Sequence, residues 1–382
     1  MVETLTPWSP PCERSSWMKP SSPSEQRQAA FRSCERFLNG HGQRRPREEL
    51  AALASVAGDH PSDVYGSGGV LEELESEVAE LLGKPAAVFM PSGTMAQQIA
   101  LRLHADTTRC RVIAFHPTCH LELHEQRGYS QLHGLDARLL GRRDRLIERS
   151  DLEAVVEPLA ALLLELPQRE IGGLLPSWEA LGEQAEWARQ RGVRLHLDGA
   201  RLWECAPFYQ KTYAELCAPF DSVYVSFYKA LGAIAGAMLA GSVELVQRAR
   251  VWQRRHGGNL VSLYPYALSA REGLRLRLGR MAAYRDEARR VARCLSALPG
   301  VRLAPDPPQV NLFHAHLPVD GERLVDASAE LARREKVALF TRTRACDVPG
   351  YSSVEVSIGD GAAALGDAEL GELLRGLLAS AG

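Results

Sequence analysis

Short apolar runs of strand length, each ending in a small or polar residue ahead of a helical pattern, constrain this chain more than any other feature. AAVFM at 86–90 meets Pro91, Ser92, Gly93 and Thr94, then the helical pattern MAQQIALRLH. RVIAFH leads through Pro117 into a helical stretch, ALLLELP leads towards SWEALGEQAEWARQRG, and VRLHLD runs into GARLWE. SVYVSFYKA is another strand candidate. Upstream, VLEELESEVAELL at 70–82 has helical spacing, with Gly83 in a C-cap position. Strands with little polar alternation are buried on both faces. The pattern therefore predicts an α/β architecture, a mostly parallel sheet with helices on both sides.

The texture changes after about residue 270. The Arg-rich amphipathic stretch SAREGLRLRLGRMAAYRDEARRVARCLSAL reads as one long helix with a solvated, salt-bridged face. VRLAP, VNLFHAHL, a helix around Asp326 to Arg334 and VALF follow, which suits a smaller α+β domain. The first thirty residues are rich in Ser, Pro, Glu and Gln and lack apolar periodicity. The expected organisation is a flexible leader over 1–30, a large domain over 31–270 and a small domain over 271–382.

Composition excludes several classes of partner. The 45 basic and 47 acidic residues leave a net charge of −2, without the basic footprint of a nucleic-acid binder. No apolar run approaches the roughly 18 residues of a membrane span. The opening MVETLTPWSPPCERSS has no apolar signal core, so export is not expected. Eight cysteines without CxxC or finger spacing fit a reduced, cytoplasmic setting better than a disulfide framework. A nicotinamide site would want GxGxxG after the first strand, and Gly66-Ser67-Gly68-Gly69 does not continue to the third glycine. A phosphate loop would need GxxxxGK[ST], and Lys84 precedes a proline.

In an open parallel sheet, ligands bind where strand C-terminal ends meet helix N-termini. Those ends carry Ser92, Gly93 and Thr94, a cup of backbone N–H groups and hydroxyls for a phosphate. They also carry His120, then Asp198 followed by Gly199, Ala200 and Arg201, and finally Lys229 followed by ALGAIAGA. Only five of the 45 basic residues are lysines, so a lysine closing an apolar strand needs a reason. Together these are the parts of a pyridoxal phosphate site. An apolar setting helps the lysine shed its proton, a carboxylate pairs with the protonated ring nitrogen, and an imidazole lies on the ring face. Asp198 read alone is a helix cap, and Lys229 read alone is a snorkelling surface lysine. His120 and His124, with Glu122 and Glu125 nearby, resemble a zinc pair, but the spacing is not HExxH and no third ligand segment is apparent, so no metal is expected. Cys119 and His120 are adjacent in an extended segment and point to opposite faces, which disfavours a thiolate–imidazole dyad.

From about Phe31 onwards the chain resembles the threonine aldolase group of the fold-type-I pyridoxal phosphate enzymes, within the β-eliminating lyases. DVYGSGGVLEELESEVAELLGKPAAVFMPSGTMAQQIALRLH is similar to that group's DVYG, amphipathic helix and PSGTMANQ-like turn. HLDGARLWE is similar to its LDGAR segment, and DSVYVSFYKALGA to its lysine segment. The resemblance implies that Ser92, Gly93 and Thr94 hold the phosphate, His120 stacks on the ring, Asp198 pairs with its nitrogen and Lys229 is the Schiff-base residue. It also implies that Arg201 grips the substrate carboxylate and that Ser33, in RSCE, lies near that carboxylate. Tyr65 would approach a site shared with a neighbouring subunit of a homodimer or homotetramer.

Some positions depart from the family pattern. Gln168 stands where the group often has a histidine, Val261 and Glu355 stand where it has arginines, and Arg254 falls on a phosphate-side lysine. Arg342 or Arg344 is a candidate replacement partner for the carboxylate. The resemblance implies retro-aldol cleavage of a threonine-like β-hydroxy-α-amino acid to glycine and an aldehyde. The alternatives are β-elimination or racemisation on the same cofactor, and a non-catalytic protein of this fold, which would have no need of the cup, Asp198 and Lys229 together.

Overall fold

In the computed structural model of the protein, residues 22–382 are described except 60, 345 and 347. Twelve strands are present among them: β1 (Arg36–Phe37), β2 (Ala86–Met90), β3 (Val112–Phe115), β4 (Asp136–Leu139), β5 (Ala161–Glu165), β6 (Arg194–Gly199), β7 (Ser222–Ser226), β8 (Ala237–Gly241), β9 (Arg302–Ala304), β10 (Leu312–Leu317), β11 (Val337–Ala338) and β12 (Ser352–Ser357). Seven form one sheet in the order β2-β8-β7-β6-β5-β3-β4. All neighbours in it are parallel except β8, which runs antiparallel to both β2 and β7. The sheet is therefore mostly parallel, as the apolar runs require. Its central strands β6 and β7 are buried along nearly their whole length.

Helix Gly69–Leu81 buries Val70, Leu71, Leu74 and Val78 and hands over to the left-handed Gly83, the stop that the sequence marks. Helix Gly93–Thr108 follows β2 directly, with the Ser92 hydroxyl capping the Met95 N–H at 3.3 Å. Helix Trp178–Gln190 lies between β5 and β6. The small domain stacks helices Gly321–Glu335 and Asp367–Ala381 on the antiparallel sheet β12-β10-β9.

Three expectations change. The Arg-rich stretch is two helices, Tyr264–Arg277 and Met281–Ser296, separated by a 3-10 turn over Leu278–Arg280. The chain changes cores inside the second helix, between Tyr284 and Ala288. Ala267, Leu268 and Leu274 pack with the large sheet, as do Met281 and Tyr284 at the head of the next helix, whereas Ala288, Val291 and Leu295 pack with the small one. A division at 270/271 would therefore cut a helix of the large core. The expected leader lies mostly outside the described residues, but Pro23–Arg32 within it is a helix opened by a capping box between Ser22 and Glu25. That helix packs on Gly321–Glu335, and β1 pairs in parallel with β11, so this end of the chain belongs to the small core. Strands β4, β8 and β12 have no counterpart among the expected elements. β4 is an exposed edge, and β8 (AMLAG) has side chains too small to stand out as a strand signal.

Phe313 is fully buried on β10 among the residues of the small core. Phe313→Ala should cost about 3–5 kcal/mol, read as a lower denaturation midpoint in urea at unchanged slope.

Candidate active site

The sheet register sets the site. Met90, Ala237 and Ser226 form one row across β2, β8 and β7, and Glu165, Asp198 and Tyr224 form another across β5, β6 and β7. The residues just beyond these strand ends therefore converge on one edge. At Ser92-Gly93-Thr94 the first-turn amides of a long helix have no intrahelical acceptor and can face an anion. Tyr224, buried on β7, brings its hydroxyl so close to Gly93 that any side chain there would collide with it. The Ser226 hydroxyl, three residues before Lys229, is buried at the same edge and has no hydrogen-bond partner among the described residues.

Asp198 is buried. Its Oδ2 accepts from Gln97 Nε2 at 2.9 Å and its Oδ1 from the Ala200 N–H at 3.0 Å. Burial raises its pKa, and the Lys229 charge is the largest influence pulling it back. Beside it, Glu165 is pushed up to about 8, first by burial and then by repulsion from Asp198, so this neighbour keeps its proton at neutral pH. Gln168 is buried and donates to Glu165 Oε2 at 2.9 Å and to Thr118 Oγ1 at 3.2 Å. Lys229 is lowered to about 8 by burial and by the Arg201 charge, against the opposing pull of Asp198 and Glu165. His120 opens the short helix His120–Leu123, and its Nδ1 lies 2.8 Å from Oε1 of the buried Glu125. Cys119 beside it is fully buried and its thiol is pushed up by that burial, which makes it a poor nucleophile.

The Arg201 guanidinium is almost wholly enclosed, yet its Nε has no hydrogen-bond partner. Glu204 Oε1 lies 3.8 Å away and Glu355 Oε1 3.9 Å away. Burial holds Glu204 up at about 7. Glu355 accepts from Arg169 through Nε at 2.7 Å and Nη2 at 3.2 Å, and from Arg344 at 3.3 Å. Burial raises its pKa, but His314, Arg201 and Arg169 outweigh that and hold it far below the usual carboxylate range. Arg344 also pairs with Glu170, which holds His124 at 2.9 Å. Arg342 is exposed, 3.9 Å from Glu355. Of the two candidate replacement arginines, Arg344 is therefore already occupied by carboxylates.

Three expected members, Ser33, Tyr65 and Arg254, are engaged with partners of their own. Ser33 ends the N-terminal helix, donating its hydroxyl to the Ala30 carbonyl at 2.8 Å. The part of this segment that meets the lysine loop comes later in the chain. His41 contacts the Ala230 carbonyl at 2.9 Å, and Arg44 donates to the carbonyls of Gly232 and Ala233. Tyr65 and Arg254 share an open cavity of about 480 Å³ with Asn259. With its amide oriented to suit both neighbours, Asn259 donates to the Tyr65 carbonyl at 2.7 Å and accepts from Arg254 at 3.2 Å. Val261 is exposed beside them, its carbonyl accepting from the Tyr65 N–H.

Sequence reasoning missed Gln97, Glu165, Arg169, Glu204 and Ser226. Each lies within five residues of a residue it did select, so the strand-end rule could have found them.

The anion cup, the buried acid opposite a lysine of lowered pKa, and the unpartnered Ser226 hydroxyl and Arg201 Nε together fit pyridoxal phosphate, and on this sheet they define a fold-type-I enzyme of that cofactor. Residues 47–334 match the family model of beta-eliminating lyases. The chain is 41% identical to a solved protein of Listeria monocytogenes EGD-E provisionally named an L-allo-threonine aldolase, at TM-score 0.89 over 94% of this chain and 99% of that one. It is 42% identical to a solved Exiguobacterium sp. 255-15 protein provisionally named an aromatic amino acid beta-eliminating lyase/threonine aldolase, at TM-score 0.88 over 93% and 99%. It is 33% identical to the aldolase vrtJ of Penicillium aethiopicum over 76% of each chain. The chain belongs to the beta-eliminating lyase family and, within it, to the threonine aldolases. It is a carbon–carbon lyase that uses pyridoxal phosphate.

An ordinary lysine titrates near 10.5, and Lys229 does so near 8. Between those values the unfolded chain carries a proton that the folded chain lacks, so this group's contribution to the stability of the cofactor-free protein grows with pH there. Its free amine also appears early. The rate at which cofactor-free protein captures pyridoxal phosphate should rise through pH 8 and level off, as followed by the visible absorbance of the borohydride-reducible lysine adduct. A rate still climbing at pH 10 would contradict the lowered value.

Proposed function

We propose that the enzyme cleaves a β-hydroxy-α-amino acid of the threonine class between Cα and Cβ, giving glycine and an aldehyde. The observation that carries this reading is the His120–Glu125 pair beside the lysine. A carboxylate at 2.8 Å keeps the proton on Nδ1 and leaves Nε2 as an acceptor for a hydroxyl proton. His120 and Lys229 both act electrostatically on Asp198, and Arg201 acts on Lys229, so the four share one small volume.

In this reading each side chain has one task. The Ser92–Thr94 cup and the Ser226 hydroxyl seat the phosphate. Asp198, held by Gln97 and the Ala200 N–H, pairs with the ring nitrogen. Arg201 offers its unpartnered Nε, and the nitrogens beside it, to the substrate carboxylate, which fixes the Cα–Cβ bond against the ring. His120 Nε2 takes the β-hydroxyl proton as the aldehyde forms, and the Lys229 amine is placed to exchange protons at Cα. Pyridoxal phosphate, when bound, supplies the sink for the electron pair left by the broken bond. Gln168 is a neutral amide already engaged with Glu165 and Thr118, so it orients these groups and takes no proton.

Arg201→Lys should reduce cleavage of threonine, allo-threonine and phenylserine on the order of a hundredfold, because a point charge cannot replace the planar guanidinium. Gln168→Ala should be milder than His120→Ala. Steady-state release of glycine and aldehyde checks all three variants. If the unmodified enzyme releases no glycine from any of these substrates, the threonine-class reading fails.

The Tyr65–Arg254 cavity supports a homodimer or homotetramer in which these residues complete a neighbour's site. Exposed Val64, Val251, Leu260 and Val261 beside it are available to a second copy. Mixing inactive Lys229→Ala with inactive Arg254→Ala subunits should then restore about a quarter of the sites, since half of each mixed dimer is intact. Mixtures that stay inactive would place Arg254 outside the shared site.

A further inference from the structure

The four residues after Lys229 present four consecutive backbone carbonyls to side chains from elsewhere in the chain. The Ala230 carbonyl lies 2.9 Å from His41 Nε2, and the Leu231 carbonyl accepts from Arg277 Nη1 at 3.0 Å. Arg44 takes the next two, Gly232 through Nη2 at 3.1 Å and Ala233 through Nη1 at 3.0 Å. The amides are fixed as well. Gly232 N–H donates to the Lys229 carbonyl, Ala233 N–H to that of Phe227, and Ile234 N–H to the Ser269 hydroxyl.

One carboxylate gathers two of the three donors, while Arg44 pairs with Glu49 at 2.5 Å. Asp360, just beyond β12 in the small domain, meets His41 Nδ1 at 3.0 Å, Arg277 Nε at 2.8 Å, the Tyr284 hydroxyl at 2.5 Å and Arg280. Two glycines make room for the His41 ring. A Cβ at Gly232 would lie 2.9 Å from His41 Cδ2, and one at Gly359 would lie 2.8 Å from Nδ1. The Ala230 carbonyl can only accept, so Nε2 carries a proton.

We propose that Asp360, His41, Arg277 and Arg44 form a clamp that positions Lys229, so that the small domain and the N-terminal segment set the direction from which Nζ meets the cofactor aldehyde. The reaction it serves is condensation of that amine with the aldehyde carbon to a carbon–nitrogen double bond, with loss of one water. The clamp's bonds to this loop run to backbone carbonyls and not to Nζ, so these are positioning residues. The proposal holds whichever substrate bond is cleaved and rests only on Lys229 being the lysine that captures the cofactor.

The test compares two probes on purified full-length protein. Pyridoxal phosphate can condense with the lysine, whereas pyridoxamine phosphate has no aldehyde and binds through the remaining contacts alone. Asp360→Asn and His41→Ala should weaken pyridoxal phosphate binding about tenfold, the worth of one hydrogen bond to a charged group, and leave pyridoxamine phosphate binding within about twofold. His41→Gln, which retains an N–H donor, should recover part of the loss. Arg44→Met, on a half-exposed side chain, tests the clamp without threatening the fold. In a Lys229→Ala background the clamp substitutions should change neither affinity. Equal losses for both probes, or losses that persist without Lys229, would reduce the clamp to a structural tie and overturn the proposal. A reducible adduct surviving in Lys229→Ala would instead show that another lysine carries the cofactor.

Discussion

The structure depends on the desolvation imposed by a sheet covered on both faces. Along β5, β6 and β7 nearly every side chain is buried, so the polar groups there, His196 within β6 and those at the strand ends, must find partners inside the protein. That condition places Glu165, Asp198 and Lys229 within electrostatic reach. The same desolvation that would make an isolated lysine costly turns it into an amine that is partly free near neutral pH. The proton on Glu165 is part of this arrangement, because two adjacent buried carboxylates could not both be charged without further cations.

The substrate side follows the same rule with opposite sign. Arg169, Arg201 and Arg344 gather within reach of Glu355, with His314 alongside. Glu355 cancels charge that a carboxylate-binding site would otherwise offer in excess, and it occupies Arg169 and Arg344 more fully than Arg201, which approaches it only to 3.9 Å. The identity of the carboxylate partner in our reading is therefore set by what the other arginines already hold.

Much of this is legible in the chain. Apolar run length and strand-end residues point to the sheet, and the neighbourhood of Ser92, His120, Asp198 and Lys229 is legible because those residues terminate strands of one sheet. The features that are not legible depend on long-range packing. Nothing local in AMLAG announces an antiparallel strand, and nothing in the Arg-rich stretch shows where it passes from one core to the other. Ser33 illustrates the limit of matching a short motif. RSCE carries the expected letters, yet its serine is engaged at a helix end, while His41 and Arg44, within ten or so residues, make the contacts to the lysine loop. In the sequence Glu355 reads as a lost arginine, whereas in the structure it is the centre of an ion-pair cluster supplied by four separate stretches of chain.

That cluster restricts how the sequence can drift. Replacing Glu355 by arginine in one step would crowd another guanidinium among Arg169, Arg201, Arg342 and Arg344, with Glu170 and the largely neutral Glu204 as the nearby acids. A lineage moving between an acidic and a basic residue at this position must first discharge Arg169 or Arg344. The order of substitutions, and with it the set of neighbouring sequences this enzyme can reach without losing its fold, is fixed by electroneutrality in a buried space.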